Sequence, residues 1–147
     1  MIFNWAKGWR LGVTIMAVLP VAAGAVERTL QVTAPAEVRV GEEVRIAVVA
    51  ATDAGNGERI GFLQMEYRAE GTAWAALCYL NNIGPDLRRE FRLPAERAGK
   101  IEVRVRVAFR DGLAGDVDFS GAAIRWPDTW EEWAEPPARR AEIVVRP

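Results

Sequence analysis

One stretch limits what this chain can fold into more than any other. Ile101, Val103, Val105, Val107 and Phe109 occupy every second position, and Glu102, Arg104, Arg106 and Arg110 fall between them. A period of two puts the apolar side chains on one face and the charged ones on the other, the signature of a strand with one buried and one solvated face. A helix would scatter both sets around its circumference. The residues are also mostly β-branched or aromatic, which favours the extended chain.

The same reading extends over the rest of the chain. Short alternating runs are predicted at 29–32, continued at 37–40 beyond Pro35, and at 43–50, where Val44, Ile46, Val48 and Ala50 share a face. A loop at 53–57, built from Asp53, Gly55, Asn56 and Gly57, separates these from a strand in which Leu63, Met65 and Tyr67 alternate with Gln64, Glu66 and Arg68. Further strands are predicted at 74–80, with Trp74, Ala76, Cys78 and Leu80 facing the core, at 88–93 and at 140–146. A short one is expected at 119–125, inside the long connection 111–137. About seven strands at this spacing argue for an all-β fold: a two-sheet antiparallel sandwich, with a barrel as the other architecture.

Residues 1–25 read differently. Lys7 and Arg10 precede an apolar run at 11–19, and Ala23, Gly24 and Ala25 supply the small residues of an A-x-A cleavage site. These are the three parts of a secretory signal peptide, with the cut after Ala25. The run is shorter than the roughly 20 apolar residues that span a bilayer core, although retention as an uncleaved anchor is the other outcome. The expectation is a signal peptide, 1–25, followed by one β-sandwich domain, 26–147, secreted or periplasmic and with no transmembrane span after cleavage.

Two of the 19 basic residues lie in that leader, leaving 17 against 20 acidic ones and a net charge of −3. No basic stripe of the kind that recruits nucleic acid stands out. Cys78 is the one cysteine, so an internal disulfide is excluded and any bridge must join two molecules. The plainer role for Cys78 is that of a small buried hydrophobe.

Residues 101–107 resemble the penultimate strand of fibronectin type III domains, which often reads Y-x-V-R-V-x-A. Residues 129–136, Thr-Trp-Glu-Glu-Trp-Ala-Glu-Pro, resemble the W-S-x-W-S box before the last strand of cytokine-receptor fibronectin domains; Glu131 and Ala134 stand at the two Ser positions. The resemblance implies a fibronectin III or immunoglobulin-like sandwich. It also implies a structural ladder in which Trp130 and Trp133 interleave with Arg104 and Arg106.

Catalysis finds little support. The chain has no histidine, which removes the usual general base and the usual transition-metal ligand. Ser120 is the one serine, and Cys78 has no His to activate it. Glu131 and Glu132 are adjacent and would point apart. Acidic loops offer a different chemistry: Asp53, Asn56 and Glu58 in one, Asp111, Asp116 and Asp118 in another, expected at the same end of a sandwich. Calcium, which takes six to eight oxygens, is the ion those residue types suit, at Asp111, Asp116 and Asp118; no other cofactor is expected. Trp126, Trp130 and Trp133, close together beside Pro127, Pro136 and Pro137, form either an aromatic platform for a sugar or a partner, or a structural cover over Arg104 and Arg106.

These readings converge on an exported, non-catalytic module that binds a protein or a glycan, its contact surface formed by the two acidic loops and the Trp segment. Two rivals stand beside it. A carbohydrate-binding module would use Trp126, Trp130 and Trp133. A structural subunit would assemble through an exposed edge strand.

Overall fold

A computed structural model of the 147-residue chain describes residues 25–125 and 138–147, which form nine β-strands in two sheets and no helix. The strands are β1 (Arg28–Thr33), β2 (Glu37–Arg39), β3 (Glu43–Thr52), β4 (Arg59–Ala69), β5 (Ala75–Asn81), β6 (Asp86–Pro94), β7 (Gly99–Arg110), β8 (Val117–Asp118) and β9 (Ala138–Arg146). One sheet has the order β1-β3-β6; the other runs β2-β9-β7-β4-β5, with β8 paired to β7. Residues 1–24 of the expected leader and the Trp segment, within 126–137, lie outside the described residues.

The alternating pattern is what buries the core. Val44, Ile46, Val48 and Ala50 of β3 are fully buried, and they face Ile60, Leu63 and Met65 of β4 and Val103, Val105, Val107 and Phe109 of β7. At roughly 25 cal/mol per Å² of apolar surface removed from water, each such side chain contributes about 1.5–3 kcal/mol. That explains how a domain of this size holds together without a disulfide.

Three sequence expectations change. The run at 29–32 does not simply continue at 37–40: past Pro35 the chain crosses to the other sheet, where β2 pairs parallel with β9, so the sandwich is not wholly antiparallel. A Pro has no N–H for the ladder, and its fixed φ suits such a crossing. Residues 119–125 are not a strand. They form a turn bridged back at Val117–Ala123 and held by Asp118, whose Oδ1 accepts from the Ser120 N–H (2.8 Å), the Ser120 hydroxyl (2.5 Å) and the Ala122 N–H (3.1 Å).

Trp74 is the third. It precedes β5 and lies on the outer face, not in the core, because β5 carries a bulge. Met65 pairs with Cys78 but the next residue, Glu66, pairs with Ala76. The extra residue, Leu77, reverses the parity of everything before it, since a one-residue shift exchanges the two faces of a strand. Cys78 and Leu80 therefore pack on the core while Ala76 stands out with Glu66. A second bulge at Gly61 brings Ile60 inward beside Leu63, while Phe62 faces outward, buried against Ala108 and Ile124. A Cβ at Gly61 would stand 2.8 Å from the Arg110 side chain, so the position suits glycine.

Candidate functional site

The two acidic loops do emerge at one end of the sandwich. Arg59 Nε lies 2.6 Å from Asp111 Oδ2, and the Gly57 and Asp111 backbones approach closely. Their carboxylates, however, serve the fold. Glu58 is buried at the start of β4 and takes both Arg28 Nε and Arg28 Nη2 at 2.7 Å, with the Thr52 hydroxyl donating at 2.6 Å. Asp53 Oδ1 accepts the Glu27 N–H at 2.7 Å, and Asp116 approaches Arg110 at 3.5 Å. Asn56 sits in the left-handed region, φ 55°, which its short side chain tolerates, and its amide reaches the Ala54 carbonyl.

The Arg28 guanidinium holds the Glu58 carboxyl below the usual carboxylate range, first through its hydrogen bonds and against the opposing effect of burial. Among the described residues no three acidic or Cys side chains come together in a way that could hold a metal ion, so the calcium reading at Asp111, Asp116 and Asp118 is not supported. Asp118 is committed to its turn, Asp111 to Arg59 and Asp116 to Arg110. This end of the molecule is a clasp between the sheets.

The outer face of the larger sheet carries a ladder of arginines and aromatics. Trp74 lies under two guanidinium groups, Arg104 at 4.2 Å and Arg68 at 4.5 Å from the ring centroid. Arg104 is also bonded to Glu66 and Arg106 to Gln64, each directly across from its partner in the β4–β7 register. Arg106 stands 5.7 Å from the Phe62 ring, and Phe62 stacks on Tyr79 with centroids 5.7 Å apart. Arg104 and Arg106 are buried, at 9% and 8% exposure, so this face is not the solvated surface that their alternation alone suggests. Trp126, Trp130 and Trp133 lie outside the described residues. The aromatic members of the ladder that the structure does describe are Trp74, Phe62 and Tyr79; sequence reasoning missed Trp74 because the bulge in β5 decides which way it faces.

The strand edges differ in kind. β6 carries Asp86, Arg88, Arg89, Glu90 and Arg92, charges that discourage pairing with another strand. β1 is closed over by Arg139, whose Nε donates to the Leu30 carbonyl at 3.1 Å. β2 is three residues long and tied to β9, with Glu37 held by Arg146 at 2.6 Å. β5 has no such protection. Its sequence, Ala75-Ala76-Leu77-Cys78-Tyr79-Leu80-Asn81, contains no charge, and among the described residues no strand pairs with its outer edge.

Which groups that edge presents follows from the ladder. Asn82 donates its N–H to Gly61 O on β4. By the alternation of an antiparallel pair, the N–H and C=O of Tyr79 and Asn81 point the other way, into the open. Tyr79 is 55% exposed on the outer side of this edge, while Cys78 is half-buried on the inner side, where burial raises its thiol pKa. Such a thiol is protonated and a poor nucleophile at neutral pH. At the far end of the sandwich a cleft of about 330 Å³ opens between Tyr67, Leu93, Glu96 and Lys100. Among the described residues no helix is long and apolar enough to cross a membrane.

No protein-family model matches the sequence, and no curated protein matches it. Solved structures do resemble it. The CARDB domain of a Pyrococcus furiosus protein aligns with a TM-score of 0.50 at 10% identity, over 82% of this chain and 95% of that one. A superoxide reductase (neelaredoxin) from Ignicoccus hospitalis aligns with a TM-score of 0.47 at 15% identity, over 82% and 83% of the two chains. Murine CRIg aligns with a TM-score of 0.39 at 14% identity, over 84% and 98%. The likeness to the CARDB domain is one of fold, an all-β domain of two sheets, and a fold of this kind hosts many functions.

Proposed function

We propose that this chain is an exported, non-catalytic sandwich of the immunoglobulin and fibronectin type III kind, which binds a partner protein by accepting a strand at the free edge of β5. The observation that carries this is the contrast among the edges: β5 is uncharged and open, whereas β1, β2 and β6 are covered, short or charged. Strand addition draws affinity from main-chain hydrogen bonds and specificity from alternate side chains. The strand order supports the kinship, since β1-β3-β6 against β9-β7-β4-β5 follows the A-B-E and G-F-C order of that architecture, with β5 as the strand beyond C. Export is supported by the leader-like residues 1–25, and the absence of catalysis by a chain without histidine and by the protonated Cys78 thiol.

The test is selection from a display library of random nine-residue peptides on the purified protein, repeated on Tyr79→Pro. Proline removes the outward N–H and fills the edge while leaving the bonds to β4 in place. Peptides that bind wild type and lose binding to the folded variant support strand addition. Peptides indifferent to Tyr79→Pro, or none enriched at all, refute it.

A further inference from the structure

Arg89 differs from the other charges of β6. It pairs with Val48 in the β3–β6 register, and Val48 is fully buried, so Arg89 shares the inward face with Leu87, Phe91 and Leu93. Arg89 is nonetheless exposed, and an inward-leaning charge on an edge strand guards that edge of the sheet against pairing. The smaller sheet ends at β6 and the larger one at β5, so Arg89 stands at the lateral opening between the two edges. Its guanidinium is near enough to Cys78 of β5 to favour the thiolate there electrostatically. Among the described residues no carboxylate bonds it. The other β6 cations are placed differently: Arg92 pairs with Glu90 and Glu43, and Arg88 points outward opposite Val49.

A strand added to β5 would carry its inner side chains directly past this group. Resting on the strand-addition reading above, we infer that the partner segment is an acidic one: an extended stretch with a carboxylate on its inner side, facing Arg89, and an aromatic or β-branched residue on its outer side, beside Tyr79. The carboxylate follows from charge complementarity with an exposed cation that no described carboxylate bonds, and the outer residue from the cross-strand packing that an exposed ring invites. The same cation argues against self-pairing. Two copies joined antiparallel about Cys78 would bring two Arg89 side chains to the same axis, and like charges placed together disfavour the pair.

The peptide selection decides this when its sequences are read by position. Enriched peptides are expected to carry Asp or Glu at one fixed position, with an aromatic or β-branched residue next to it in the alternation. The acidic preference should disappear on Arg89→Ala and turn to Lys or Arg on Arg89→Glu. A selected peptide made synthetically should bind Arg89→Ala about two- to fivefold more weakly than wild type and Tyr79→Pro not measurably. Peptides that depend on Tyr79→Pro but show no acidic position, or that bind Arg89→Glu equally well, overturn the inference and leave strand addition standing. Peptides that ignore Tyr79→Pro overturn both. A dimer in sedimentation that dissociates on Tyr79→Pro would make the occupant a second copy, and would also overturn the acidic partner.

Discussion

Arg28 and Glu58 meet through two parallel hydrogen bonds of 2.7 Å, with the Arg28 side chain 9% and the Glu58 side chain 1% exposed. Arg28 begins β1 in one sheet and Glu58 precedes β4 in the other, so this pair spans the sandwich. Thr52, at the end of β3, adds its hydroxyl to the same carboxylate. Breaking a buried pair from one side is expensive because the other charge remains buried without its partner.

Glu58→Gln should therefore destabilise the protein by about 3–5 kcal/mol in urea unfolding. The sign of the pH effect follows from the depressed folded-state pKa. The contribution is complete above the ordinary carboxylate range and fades as the pH falls from about 5 through the lower folded value. Unfolding of wild type across that window should show a loss of stability that Glu58→Gln lacks. Parallel slopes in the two proteins would remove Glu58 from the acid response.

Two glycines in loops should respond oppositely to alanine. A Cβ at Gly112 would stand 2.5 Å from Glu58 Oε2 and 2.8 Å from its Cβ, whereas one at Gly84 meets nothing within 4 Å. Gly112→Ala must displace the clasp and should cost about 1–3 kcal/mol. Gly84→Ala should remain within about 1 kcal/mol of wild type, on the stable side, because it restricts the unfolded chain. Thermal melts of the two variants side by side test the contrast, and equal melting temperatures would contradict it.

Trp74 and Arg104 should be energetically coupled. Their contact at 4.2 Å is partly desolvated, and Glu66 orients the guanidinium. A double-mutant cycle with Trp74→Phe and Arg104→Lys should return a coupling of roughly 0.5–2 kcal/mol. Strict additivity would mean the stacking is incidental to stability.

Much of the fold was legible in the sequence because a strand with one buried face announces itself at a period of two. Val44, Ile46, Val48 and Ala50 of β3 and Ile101, Val103, Val105, Val107 and Phe109 of β7 are the inward sets that the sequence predicts, and the two acidic loops do share an end. The candidate site was legible only as a possibility. An edge strand was among the rival contact surfaces, but neither its identity nor the role of Arg89 could be read from residues that look alike wherever they lie.

The sequence by itself determined the all-β class, the inward residues of the regular strands and the absence of histidine chemistry, since these depend on composition and on local periodicity. The tertiary structure alone decided that Trp74 faces outward and Ile60 inward, because single-residue bulges at Leu77 and Gly61 reverse parity without changing the local pattern. It also decided that Glu58 closes on Arg28 across 30 positions of chain and that β5 is left at an edge. Such pairings are set by which strands meet, and strand order is a property of the packed chain as a whole.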